Sequence, residues 1–307
     1  MAEPNAKSEP SDLARHVPVL ADAVLHALDP QPGQTIVDAT LGGGGHAALI
    51  ASRIGPLGRI VGLDQDPRML EKARARLPVA SNMPTIDFIE ANFGSLRFVL
   101  DELRLDRVDG VLADLGFASD QMEDAGRGLS FQEDGPLDMR LSPEGSQTAA
   151  DLIATLNERD LADLFYHLGE ERFSRRVARR IVEMRAELPI TTTTQLAELI
   201  RRCVPRSKGL KIDPATRVFQ ALRIAVNDEL ANLDRLLADL PSCLKPGGRA
   251  VIISFHSLED RRVKQAFRNR EVWNALTKKP VVASDAERDA NPRSRSAKLR
   301  AASKPLG

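Results

Sequence analysis

The chain has 307 residues, 42% hydrophobic and 28% charged, with 43 basic and 43 acidic side chains that cancel to a net charge of zero. That length and apolar content support a large buried core and exclude wholesale disorder. No apolar stretch reaches the roughly eighteen residues of a membrane span, and the polar, acidic amino terminus lacks the apolar core of a signal peptide. Cys203 and Cys243 have no paired spacing, so the expectation is a reducing, cytosolic setting with neither a disulfide framework nor a zinc motif.

Residues 1–13 read as a disordered tail, followed by a short helix over Ala21–Leu28 that ends in the turn-rich Asp29-Pro30-Gln31-Pro32-Gly33. Thr35–Ala39 is a β-branched run that reads as a strand, and Ala47–Ile54 has helical spacing. Gly58–Leu63 is a second strand ending at Asp64, and Asp66-Pro67 marks the start of a helix that stops near Pro78. Thr85–Glu90, Leu96–Leu103 and Val108–Leu115 continue as strand, helix and strand. This alternation indicates an α/β fold with a doubly wound parallel sheet.

The alternation then stops. Gly126–Pro143 is loop-like, and Thr148–Leu156, Glu158–Leu168, Glu171–Glu187 and Thr194–Arg202 are helical, which suggests an inserted helical domain. A long helix over Pro214–Leu240, the turn Lys245-Pro246-Gly247-Gly248, a strand at Arg249–Phe255 and a helix at Leu258–Arg270 return to the sheet. Weak strands near Lys279–Ala283 and Ala297–Ala301 are expected to close it. The domains predicted are 14–125 with 214–307, and an insertion at 126–213.

The zero net charge is an average. Residues 114–160 carry 11 acids and 3 bases, residues 170–211 carry 5 acids and 11 bases, and residues 261–304 carry 4 acids and 13 bases. Such blocks suit either an anionic partner or mutual pairing as solvated helix faces, and charge alone leaves both open.

Two features carry chemistry. Gly42-Gly43-Gly44-Gly45-His46 is a glycine-rich turn between strand and helix, and Asp64 ends the next strand, where a carboxylate can accept both hydrogens of a ribose diol. The pair indicates an adenosine-containing cofactor, a dinucleotide or S-adenosylmethionine. Three details favour the latter. Asp38 before the glycines disfavours a pyrophosphate and tolerates a cationic tail. Lys245-Pro246-Gly247-Gly248 resembles the turn opening the fifth strand of Rossmann-like methyltransferases, and Ala113-Asp114-Leu115-Gly116-Phe117 falls where such enzymes contact substrate.

Further segments extend this likeness in chain order. They are His16-Val17-Pro18-Val19-Leu20, the glycine turn, Asp64-Gln65-Asp66-Pro67, Asp114-Leu115-Gly116, Arg127-Gly128-Leu129-Ser130-Phe131 and Asp134–Arg140. Gly169–Phe173, Pro214–Gln220, Ser254–Arg261 and Asn291–Ser296 follow. With them the chain resembles the bacterial small-subunit ribosomal RNA cytosine-N4 methyltransferases, the RsmH (MraW) family, over nearly everything after residue 14.

The resemblance implies a Rossmann-like S-adenosylmethionine-dependent sheet with an inserted helical domain, acting on 16S ribosomal RNA in the small ribosomal subunit. It implies cofactor contacts at Gly44, Gly45, His46, Asp64, Phe93, Asp114 and Gln121, and no metal. Asp114 and the Leu115 carbonyl are the candidates for accepting hydrogens from the cytosine amine. Phe117 and Phe255 are candidates for stacking on the base, with core packing as the alternative for Phe255, and His256 is a candidate for bonding the base or a phosphate, with a core histidine as its alternative. Arg172, Arg175, Arg176, Arg179 and Arg180, and Arg293, Arg295, Lys298 and Arg300, are candidates for the RNA backbone; a solvated face is the alternative for the first group. Phe117-Ala118-Ser119-Asp120 departs from the family's usual valine and serines, which leaves that loop's role open. A DNA or other RNA amino-methyltransferase, a non-catalytic RNA-binding assembly factor and a dinucleotide-dependent oxidoreductase are the competing readings. The oligomeric state is not legible.

Overall fold

The computed structural model describes residues 18–77, 80–205 and 213–306. The tail expected over 1–13, His16 and Val17 of the first motif, the helix end near Pro78, and Arg206, Lys208 and Lys211 of the first basic block lie outside the described residues.

The first half alternates as its sequence pattern dictates: α1 (Ala21–Leu28), β1 (Thr35–Asp38), α2 (Gly45–Ile54), β2 (Arg59–Asp64), α3 (Pro67–Arg76), β3 (Thr85–Glu90), α4 (Leu96–Glu102) and β4 (Val108–Asp114). Asp66 starts α3 as expected: its Oδ1 accepts the Arg68 N–H at 3.0 Å, and Pro67 occupies a first-turn position where no donor is needed. The chain then leaves the sheet through a short α5 (Ser119–Glu123) into α6 (Ala149–Thr155), α7 (Glu158–Gly169), α8 (Ser174–Glu187), α9 (Thr193–Cys203) and α10 (Ala215–Val226). Thr148 with Asp151 and Thr192 with Gln195 form capping boxes that set the starts of α6 and α9. It returns through α11 (Glu229–Cys243), β5 (Leu244–Ser254), α12 (Ser257–Ala266), β6 (Asn274–Ala275), α13 (Asp285–Ala290) and β7 (Lys298–Ser303).

The seven strands form one sheet in the order β3-β2-β1-β4-β5-β7-β6. The pairings from β3 to β5 are parallel, whereas β7 runs antiparallel to both β5 and β6. The strand order reverses between β1 and β4, and ligands of such sheets bind at the carboxyl ends beside this switch point. Apolar clusters cover both faces of the sheet, and a third fills the helical insertion. No helix among the described residues is long and apolar enough to cross a membrane.

The structure departs from the sequence reading at four places: β5 already begins at Leu244 and takes in the turn expected over 245–248, and three further departures are larger. The helix expected over 214–240 is two, α10 and α11, because Asp228 adopts φ 49° and Asn227 turns its side chain to the incoming loop. Asn227 Oδ1 accepts the Leu141 N–H, and Nδ2 donates to the Met139 carbonyl, both at 2.8 Å. Second, α10, assigned above to the sheet domain, buries Ala215, Val218, Phe219 and Leu222 in the insertion's cluster. Third, the strand expected near Lys279–Ala283 is reduced to one bridge from Val281 to Leu299, and Asn274–Ala275 pairs with β7 instead.

Candidate active site

Asp38, Asp64 and Asp114 end β1, β2 and β4, which lie side by side, so three carboxylates share one edge of the sheet. A cleft opens there, lined by Gly42, Gly43, Gly45, His46, Asp64, Phe93, Gln121, Arg293 and the run Asp114–Phe117.

The glycine turn is locked to β2. Leu41 N–H donates to the Leu63 carbonyl at 2.7 Å, and Gly42 N–H donates to Asp64 Oδ2 at 2.8 Å. The other Asp64 oxygen accepts the Asp66 N–H at 2.9 Å. Burial pushes the Asp64 carboxyl up to about 6, against the pull of those two amides. Gly44 has φ 76°, and a Cβ on it would lie 3.0 Å from Leu77 Cδ1 and 3.4 Å from Ala73. Its missing side chain therefore serves packing against α3, while Gly42, Gly43 and Gly45 line the cleft.

Asp38 is 1% exposed; its Oδ1 accepts the Thr40 N–H at 3.3 Å, and its Oδ2 has no protein partner. Burial pushes its carboxyl up to about 6, with His46 pulling the other way. His46, at the start of α2, is buried with its Nε2 3.6 Å from Asp114 Oδ2. Asp114 Oδ1 is enclosed without a protein partner, and the Asp114 N–H donates to Thr40 Oγ1 at 2.6 Å. Buried polar atoms without partners are rare in folded chains, so their concentration at these strand ends marks a place prepared for ligand groups.

Gln121 is an internal tie as well as a lining residue. Its Oε1 accepts the Ala118 N–H and its Nε2 donates to Asp66 Oδ2, both at 2.8 Å. Arg127 pairs with the same Asp66 oxygen at 2.6 Å, so β2, α5 and the following loop meet at one buried carboxylate. Phe117 lies under the Arg223 guanidinium, 4.8 Å from ring centre to Cζ, and its carbonyl accepts a hydrogen bond from Arg293. Lys72 pairs with Asp120, and Arg68 pairs with Asp124 at 3.1 Å, which fasten α5 to α3. The unusual loop residues Phe117 and Asp120 are thus docked on both sides.

His256 does not face the cleft. It precedes α12, its ring is buried, and its Nε2 sits 3.2 Å from Glu259 Oε1. Glu259 accepts the Phe255 N–H at 2.8 Å, and Arg223 holds Glu229 by two bonds of 2.7 and 2.9 Å. Glu229, His256 and Glu259 bring ligand-type atoms within 4.8 Å of one another. Arg223 already occupies both oxygens of Glu229, so the cluster is charge-matched by the protein itself. The sequence supplied His256 as a base contact, and the structure gives it the core role named as the alternative.

Arg175, Arg176, Arg179 and Arg180 project outward from α8, whose Val177, Ala178 and Ile181 are buried, and Arg172 is exposed just before it. Arg179 reaches Glu158 at 3.5 Å and Arg180 reaches Glu183 at 3.0 Å, both as exposed pairs. Arg295 is exposed, whereas Arg300 is 7% exposed and bonded to Asp260 at 2.6 Å, which removes it from any RNA-facing surface. Sequence reasoning missed Asp66, Arg127, Arg223 and Glu229 as parts of the site's frame. The Asp66-Pro67 cap was a visible signal; the Arg223–Glu229 pair depends on the helix break at Asn227–Asp228 and had none.

The profile of the MraW methylase family matches residues 13–305. The protein named "Ribosomal RNA small subunit methyltransferase H" in Deinococcus deserti is 49% identical over 288 residues, covering 94% of this chain and 92% of that one. The protein of the same name in Sorangium cellulosum is 50% identical, covering 94% of this chain and 90% of that one. That in Synechococcus sp. is also 50% identical, covering 94% and 95%. The matched span runs from before α1 to the end of β7 and includes every residue lining the cleft, and on that basis the chain belongs to the MraW methylase family.

Proposed function

We propose that this chain is an S-adenosylmethionine-dependent methyltransferase that modifies the exocyclic N4 of a cytidine in 16S ribosomal RNA, within the small subunit and in the cytoplasm. The observation that carries the reading is the unpartnered Asp114 oxygen at the switch-point strand end, beside a cleft that suits the cofactor.

The residues fit that cofactor group by group. The free oxygen of Asp38 suits an ammonium, and the first amides of α2, unused within the helix, suit the carboxylate of the same amino-acid tail. Each Asp64 oxygen keeps a lone pair beyond its backbone bond, enough for a ribose diol. Phe93 lines the cleft beyond Asp64 and offers a face for adenine. When bound, the cofactor supplies a methyl group on a sulfonium.

The protein's own part is positioning and charge. The amine lone pair of cytosine is delocalised into the ring. Asp114 Oδ1 and the Leu115 carbonyl accept its hydrogens, favour a pyramidal nitrogen and stabilise the positive charge that develops. Phe117, held under Arg223, forms the wall against which an everted base can lie. The exposed arginines of α8 and Arg295 supply phosphate contacts without sequence preference.

The test is mass spectrometry of nucleosides after incubating small subunits, naked 16S RNA and DNA with cofactor and either wild type or Asp114→Ala. N4-methylcytidine from a ribosomal RNA substrate with wild type, and none with the variant, is expected. Product from DNA alone, or near-normal turnover by the variant, overturns the reading.

A further inference from the structure

Half of the enclosed polar atoms that lack partners among the described residues belong to three side chains: Asp38 Oδ2, both ring nitrogens of His46 and Asp114 Oδ1. Cofactor binding accounts for Asp38 and substrate binding for Asp114. It does not account for the His46 ring, since the cofactor contact expected at this position suits the backbone amide of a helix start. The ring itself is 7% exposed and stands 3.6 Å from Asp114.

We propose that His46 is the positioning partner of Asp114: its ring at Oδ2 holds the Asp114 side chain toward the attacking amine, so that Asp114 can take the proton the amine sheds. This inference rests on the function proposed above.

The proton has to go somewhere. The amine lone pair forms the new N–C bond while the S–C bonding pair returns to sulfur. The nitrogen then carries the methyl group, two hydrogens and a positive charge. One N–H bond breaks, its electron pair stays on nitrogen, and the proton passes to the Asp114 carboxylate. His46 Nε2 stands 3.6 Å from Asp114 Oδ2, and Oδ1 has no protein partner.

The surroundings support a charged imidazole. Burial disfavours its protonated form, but Asp114 and then Asp38 outweigh burial and hold it above its ordinary value. The other charged groups around the pair are Asp64 from β2, Arg76 from α3, Asp120 from α5 and Arg293 from the segment before β7. Arg293 bonds the Phe117 carbonyl and is also electrostatically coupled to Asp114, so two cations share that carboxylate, with the His46 ring at Oδ2.

Two measurements test the pair. The first is NMR titration of the imidazole signals of the ligand-free chain, with His46→Gln assigning the His46 signal. Asp114→Asn is expected to lower the His46 titration midpoint by about one pH unit or more, and an unchanged midpoint overturns the proposal. The second compares His46→Gln with wild type in methyl transfer. A fall in kcat of about tenfold or more is expected, with the acidic limb of the pH–kcat profile moved to higher pH and cofactor Kd by calorimetry within about threefold. A superimposable pH profile, or a Kd that rises in step with the fall in kcat, assigns His46 to cofactor binding alone. If the wild type transfers no methyl group to ribosomal RNA, the function proposed above fails, and this inference falls with it. With an active wild type, an unchanged titration or profile overturns the inference alone.

Discussion

Asp38→Asn separates what the site costs the fold from what it gives the ligand. The wild-type side chain is 1% exposed, with one long backbone bond and one oxygen unpartnered. Burial raises its carboxyl from 3.8 to about 6. About two units of displacement correspond to roughly 3 kcal/mol of unfavourable ionisation in the ligand-free protein. Between those two values the folded chain holds a proton that the unfolded chain has released. Stability therefore falls as pH rises from about 4 to about 6, and the loss persists above that range. Asparagine keeps the shape and the acceptor for Thr40 but never ionises. In urea unfolding, the variant is expected to match wild type to within about 1 kcal/mol near pH 4 and to exceed it by about 2–3 kcal/mol at pH 8. Calorimetry at pH 8 is expected to show S-adenosylmethionine bound about tenfold more weakly or worse, because the ammonium loses its counter-charge. A stability difference that does not grow with pH, or an unchanged affinity, refutes the reasoning.

Gly44→Ala forces a side chain into the left-handed region at φ 76° and to 3.0 Å from Leu77 Cδ1, so a loss of about 1–3 kcal/mol is expected in thermal unfolding. Arg223→Ala leaves Glu229 enclosed without its cation and is expected to destabilise by about 3–5 kcal/mol, with Glu229→Gln in the same chain recovering part of it in denaturant titrations. Charge reversal of Arg176 and Arg179 is expected to leave the circular dichroism unchanged and raise KM for RNA severalfold. The same variant should have a salt dependence of binding shallower by about two contacts; an unchanged slope removes α8 from the RNA surface.

The five parallel strands and their helices were legible because each local signal agreed with its neighbours: β-branched runs, the Asp66-Pro67 cap, the glycine turn after β1. Asp38, Asp64 and Asp114 could be placed together before any coordinates, since a parallel sheet brings strand ends to one edge. What stayed hidden depends on pairing across long stretches of chain. The break between α10 and α11 is set by Asn227 bonding to Met139 and Leu141, residues about ninety positions earlier, and no helical propensity reports it. His256 looked available because it follows a strand at the ligand edge, yet its ring is buried off the cleft with Nε2 3.2 Å from Glu259 Oε1 on α12. Arg300 belonged to a basic run by composition, but it sits in the buried middle of β7, paired on both sides, and bonds to Asp260.

The helices α6 to α10 also separate two neighbouring strands of the sheet along the chain. β4 and β5 are neighbours in the sheet, yet the Lys245–Asp109 contact beside their pairing spans 136 residues of intervening chain. Helices α6 to α10 pack mainly on one another, through contacts far shorter in sequence. Closing a loop that long costs entropy that grows only slowly with its length, and a compact set of helices lowers it. The edge that carries Asp114 is thus built from segments on either side of the one that bears the α8 arginines.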